Sequence, residues 1–321
     1  MKRIALLGLM LLALASLAVA CGGGDNAASP AATTATGKSE ATATSTIDPN
    51  VFTNPQLLAE TSWLSGKLED KSIVAVDLRK KEAFDAGHIP GAVWYDSNSL
   101  KDPDQKLFVI RDTLFAQNLG AIGIDNTKTV VAYDDNAGLS SVRFWWVLSY
   151  YGDNNARVLN GGFPKWQKEN LPVAKDSPVV TKVTFTPAIN DKVISSLDTL
   201  KQQATSPSPN VVILDVRTAA EYTGADVRSA KGGHVPTAIN LDWTRTMSDS
   251  DPKVWKSAAE LRKLVEQAGV KPGSQVITYC QSGVRAAQLF FTLRLLGFDN
   301  VRNYDGSWAE WGNSTSTPIE R

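Results

Sequence analysis

The sequence predicts two tandem α/β domains, each a mainly parallel sheet flanked by helices, and three observations predict it. Short β-branched runs alternate with segments of helical period, the pattern of parallel strands joined by crossover helices. The two halves of the chain repeat one another at a constant offset. Once about fifty N-terminal residues of different composition are set aside, enough chain remains for two domains of ordinary size.

Lys2 and Arg3 open the chain, residues 4–20 are an apolar run, and small residues lead to Cys21, so residues 1–21 read as an export signal. Leu17-Ala18-Val19-Ala20-Cys21 resembles a bacterial lipobox, in which cleavage ahead of the cysteine leaves a thiol that is lipidated. Ala18 stands where that pattern prefers leucine, and an uncleaved anchor or ordinary cleavage are the other readings. The expected location is therefore outside the cytoplasm, attached to the membrane as a lipoprotein. Residues 22–50 are Gly, Ala, Thr and Ser with almost no large apolar side chain, too few to offset the entropy of ordering them, and read as a flexible tether.

Residues 51–172 form the first predicted domain, 173–195 the connection, with Pro178 and Pro187, and 196–321 the second domain. Residues 72–78 and 211–216 are β-branched runs suited to buried parallel strands. The segment 258–269 sets Leu261, Leu264, Val265 and Ala268 on one helical face and stops at Gly269. A strand over 275–279 follows, then a helix over 286–296 with Leu289, Phe290, Leu293 and Leu296 inward and Gly297 at its end. The repeat supplies the first copy: His88 and His234, Gly123 and Gly269, Tyr133 and Tyr279, and Asp134 and Cys280 all lie 146 positions apart. Val76-Asp77-Leu78-Arg79 answers Leu214-Asp215-Val216-Arg217, and Gly161-Gly162 answers Gly306-Ser307 after a slip of one residue. The second copy carries an insertion of about eight residues ahead of its GHVP, at His234.

With 33 basic and 33 acidic residues, the chain shows no bulk charge that would attract nucleic acid or a polybasic membrane contact. Two cysteines, Cys21 and Cys280, exclude a disulfide framework. An exported chain with one unpaired thiol in its folded part has either buried it inertly or kept it for chemistry. His88 and His234 invite a metal or general-base reading, but both occupy one repeat position, including in the copy without cysteine, which fits a hydrogen-bonding role in the fold. No metal or cofactor is expected. Most of the nine tryptophans read as core, because a stacking platform would need a basic groove.

The strand ending at Tyr279 runs through Cys280-Gln281-Ser282-Gly283-Val284-Arg285 into a helix. A cysteine there sits at the carboxyl end of a parallel sheet, the usual functional edge. Six residues with a central glycine let successive amides turn inward as an anion nest on the helix N-terminus, which favours a thiolate and holds an anion against it. A nucleophile with such a cradle suits group transfer from an anionic donor.

CQSGVR resembles the six-residue rhodanese loop, FDAGHIPGAV from Phe84 to Val93 is similar to that family's N-terminal signature, and YDGSWAEW from Tyr304 to Trp311 to its C-terminal one. The second copy departs at Thr237, where it reads PTA for PGA. The resemblance covers the chain from about Asn54 onward and implies a two-step sulfurtransferase cycle, with Cys280 as nucleophile and persulfide carrier. It implies a small anionic sulfur donor, thiosulfate or 3-mercaptopyruvate, and a thiophilic acceptor such as cyanide or a thiol. Gln281 and Ser282 match neither donor class fully, and the extracytoplasmic setting places thiosulfate ahead. Asp134 in the place of cysteine implies a silent first copy that walls the cleft between domains.

Gln281, Ser282, Gly283, Val284 and Arg285 are the expected substrate-binding loop. Arg217 and Arg228 are further candidates for a sulfonate or carboxylate, Arg228 the better one because the first copy has no equivalent, whereas Arg79 matches Arg217. Asp215 is expected to buttress the loop. Two other readings stand beside this one. A CX5R phosphatase needs arginine where Ala286 stands and histidine where Tyr279 stands; a non-catalytic module that binds a partner or carries persulfide would have less need of the thiol.

Overall fold

Two β-branched pentapeptides, Ile73–Asp77 and Val211–Asp215, seed two sheets of the same topology. The computed structural model describes residues 48–321, so the readings on residues 1–47, among them the export signal, the lipidation of Cys21 and nearly all of the tether, lie outside the described residues. In chain order the first domain holds β1 (Leu58–Ala59), α1 (Thr61–Ser65), β2 (Ile73–Asp77), α2 (Lys81–Ala86), β3 (Val93–Trp94), α3 (Asp112–Ala121), β4 (Thr129–Tyr133), α4 (Leu139–Tyr150), β5 (Ala156–Leu159) and α5 (Gly162–Lys168). The second holds β6 (Ile194–Ser195), α6 (Leu197–Thr205), β7 (Val211–Asp215), α7 (Ala219–Thr223), β8 (Ile239–Asn240), α8 (Ala258–Gln267), β9 (Gln275–Tyr279), α9 (Val284–Leu295), β10 (Val301–Tyr304) and α10 (Ser307–Trp311). Among the described residues no helix is long and apolar enough to cross a membrane.

Every strand pair is parallel. The orders are β1-β5-β4-β2-β3 and β6-β10-β9-β7-β8, so the repeat read from the sequence is one fold used twice. β4 and β9 lie at the centre, between neighbours reached in opposite directions, and a doubly wound sheet opens a crevice at the carboxyl end of such a strand. Asp134 follows β4 and Cys280 follows β9.

The predicted strand over 275–279 is β9 itself, and α8 buries Leu261, Leu264 and Val265 as its spacing requires. The helix predicted over 286–296, α9, departs from expectation. It begins at Val284, not 286, because Gly283 at φ +81° turns the chain straight into it. It also buries Ala286, Ala287, Gln288, Phe291, Thr292 and Leu295 besides the predicted face. A helix buried all round is covered on two sides: the sheet takes one, and α4 of the first domain takes another, with Trp145 edge-on to Phe291 at 4.9 Å between ring centres. Trp255 Nε1 donates to Thr292 Oγ1 at 3.1 Å on the same helix. One apolar cluster therefore runs through both domains.

Ile194 and Ser195, within the segment read as the connection, pair with β10 as edge strand β6. His88 and His234 stack on Phe84 and Tyr222 and bond the carbonyls of those same residues through Nδ1, which pins their loops. Thr237 takes φ +68° where the first copy has Gly91 at +75°, a conformation that costs a β-branched residue roughly 1 kcal/mol or more.

Candidate active site

β9 delivers Cys280 to the crevice with 1% of its surface exposed. Its backbone is fixed at both amide and carbonyl by the start of α10. The Cys280 amide donates to Ser307 Oγ at 3.1 Å, and its carbonyl accepts from the Trp308 amide at 2.9 Å. Ser307 is held at φ +52°, a left-handed conformation a serine rarely takes, and its hydroxyl donates in turn to the Tyr304 carbonyl at 2.8 Å. The Gly283 amide donates to Cys280 Sγ at 3.1 Å, so the nest read from the sequence is turned on the sulfur at this amide. Asn303 Nδ2 donates to the Gly283 carbonyl at 3.1 Å and holds that turn. Val284 and Arg285 form the first helical turn, where amides lack intrahelical partners.

Gly283 is required twice over. Its φ favours glycine, and a Cβ there would lie 2.4 Å from Asp305 Oδ1 and 3.3 Å from Arg143 Nη1.

In the first copy the equivalent nest is already filled. Asp134 Oδ1 accepts the amides of Asn136 and Gly138 at 2.9 and 3.0 Å, and Oδ2 accepts the Ser141 amide at 2.8 Å. That loop holds one residue more before its left-handed glycine, Gly138, which places the slip between the repeats in the loop itself.

The arginines singled out from the sequence divide three ways. Arg285 forks onto Glu221, with Nη1–Oε2 and Nη2–Oε1 distances of 2.7 and 2.8 Å. Burial alone would push the Glu221 carboxyl up, but the Arg285 bonds outweigh it and hold the group down at about 2. Thr218 and Glu221 also form a capping box on α7, a signal legible as Thr218-Ala219-Ala220-Glu221 that the sequence reading passed over. Arg228 is 49% exposed and pairs with Asp226 at 2.7 Å, while its carbonyl accepts from Gln281 Nε2 at 3.3 Å. The structure does not bring Arg217 to the thiol. Its guanidinium is spent on Asp215 at 2.6 Å and the Gly233 carbonyl at 2.7 Å, over the Trp308 ring, and Arg79 makes the same bonds in the first copy. Asp215 Oδ2 also accepts from the Tyr279 hydroxyl at 2.6 Å, one residue before the cysteine.

Two basic residues that sequence reasoning missed come from the first domain. Arg143 Nη1 and Lys101 Nζ reach Asp305 Oδ1 at 2.5 and 3.3 Å. Burial, then the neighbouring Arg143, pulls the Lys101 ammonium down to about 8. Burial works against the Asp305 carboxylate, yet the two cations hold it below its ordinary range. Only the fold brings these residues beside Cys280, so no local pattern announces them.

A family model of the rhodanese-like domain matches residues 60–169 and 196–314. The chain is 35% identical over 287 residues to a thiosulfate sulfurtransferase of Corynebacterium glutamicum, covering 84% of this chain and 92% of that protein. It is 31% identical to a thiosulfate sulfurtransferase of Pseudomonas aeruginosa, over 84% and 99% of the two chains. A Thermus thermophilus protein named sulfur carrier protein TtuD is 30% identical, over 84% and 98%. Among solved structures, the anaerobic ergothioneine biosynthesis enzyme from Chlorobium limicola superposes with a TM-score of 0.75 at 24% identity, over 84% of this chain and 71% of that one, a likeness of fold.

Proposed function

Because the chain belongs to the rhodanese-like domain family, in two tandem copies, we propose that it is a sulfurtransferase whose Cys280 carries sulfane sulfur as a persulfide. The observation that carries this reading is the thiol at the end of the central strand with the Gly283 amide on its sulfur, where the first copy holds a carboxyl group in the same kind of nest. Thiosulfate is the donor we place first, in keeping with the names of the relatives from Corynebacterium and Pseudomonas. The Cys280 thiolate attacks the outer sulfur; a new S–S bond forms, the old one breaks, and its electron pair leaves with sulfite. Cyanide or a thiolate then attacks the outer sulfur of the persulfide and restores the Cys280 thiolate. Loop amides that meet the charge on the outer sulfur stabilise it without reorganising at the moment of transfer.

Purified protein given cyanide with either thiosulfate or 3-mercaptopyruvate should form thiocyanate, faster with thiosulfate. No thiocyanate from either donor would end the enzyme reading and leave persulfide carriage as the alternative.

Membrane attachment outside the cytoplasm through lipidated Cys21 belongs to the same proposal, supported by the signal-like start and the lipobox-like residues. A Cys21→Ala variant should leave the membrane fraction. Retention equal to the parent's would refute lipidation.

A further inference from the structure

The first domain has closed its own nest on Asp134, yet it sends two cations across the interface to the second. We propose that Arg143 and Lys101 complete the sulfur-donor site and receive the anionic end of the donor, so that the silent domain supplies the charge recognition and the second domain the nucleophile. The proposal rests on the sulfurtransferase reading above and adds the place where the donor's oxyanion sits.

Arg143 lies on α4, with its side chain 2% exposed, and stacks on Trp146 at 4.6 Å. Nη1 is bonded to Asp305, but Nε and Nη2 have no partner. A buried donor left unpaired costs roughly 1–3 kcal/mol, a cost that an anion bound at these atoms removes. The guanidinium stands against Gly283, whose amide holds the cysteine sulfur. Lys101 spends N–H bonds on the Leu107 carbonyl at 2.6 Å and on Asp305, which leaves one of its three donors.

The local charges are Arg143 and Lys101 against Asp305, whose Oδ2 is also unpartnered, so one positive charge is in excess. On the far side of the loop Arg285 is matched by Glu221. The excess charge near the thiol therefore comes from the first domain. Two of the three charged groups border open space: Lys101 lines a cavity of about 490 Å³ with Asp96 and Lys106, and Asp305 one of about 380 Å³ with Phe108 and Glu310. Nothing in the second copy duplicates Arg143, whose counterpart Gln288 bonds Thr246 inside the core.

The test compares the parent with Lys101→Gln and Arg143→Gln. Lys101 is 20% exposed at its side chain, so that variant stays informative if loss of the buried arginine prevents folding. Thiocyanate formation should show the thiosulfate KM raised at least tenfold in Lys101→Gln, and the sulfite Kd by calorimetry weakened by a similar factor. Discharge of preloaded persulfide to dithiothreitol should stay within twofold of the parent's. Unchanged KM and sulfite Kd would overturn the proposal, and so would loading and discharge that fall together. A parent without turnover would remove the sulfurtransferase reading alone. In that event the sulfite Kd decides this one: a tenfold loss in Lys101→Gln supports it and no change overturns it.

Discussion

Glu221 shows how one side chain sets the charge around the loop. It is fully buried, forks onto Arg285, and draws Arg228 to 3.6 Å, so two of the three arginines nominated from the sequence are partly neutralised by a residue that was not. Its carboxyl falls from an ordinary value of 4.5 to about 2 in the folded chain. A depressed carboxyl contributes stability that is present above the unfolded value and lost as pH falls through the folded one. The pair should therefore stabilise the fold by about 3 kcal/mol at neutral pH, with that contribution disappearing between pH 4.5 and pH 2. Urea unfolding of Glu221→Gln against the parent checks it. The variant should be less stable at pH 7, with the difference shrinking as pH drops through that window; a pH-independent difference would contradict the assignment.

At the scale of elements, legibility followed length and locality. β9 could be read residue for residue because a five-residue run with four buried side chains, bounded by a glycine turn and a cysteine loop, admits one strand register. The two-residue edge strands β1, β3, β6 and β8 have no period to read, and β6 lay hidden at the end of a proline-containing connection. The helix α9 showed its predicted inward stripe, but its second buried face exists only because α4 packs there, a contact such as Trp145 to Phe291 between residues 146 positions apart. The active loop was legible as a motif. Its supports were less so: Ser307 was marked only by standing opposite Gly162, which itself takes φ +56°.

The whole molecule joins two copies of one fold through a continuous apolar core, with Lys101 and Arg143 of one copy paired to Asp305 of the other beside the Cys280 loop. Duplication explains the division of labour. The copy with Asp134 satisfies its own amides, while the copy with Cys280 leaves an amide on a sulfur atom, and the only cysteine among the described residues has no second thiol there to resolve a persulfide. On the proposed reading, a sulfur loaded on Cys280 meets no acceptor thiol among the described residues. Intact-mass spectrometry after incubation with thiosulfate and removal of excess donor tests this most directly. The account predicts a gain of one sulfur atom on the chain, mapped to Cys280, erased by cyanide and absent from Cys280→Ser. A chain of unchanged mass, or a sulfur atom still gained by Cys280→Ser, would contradict it.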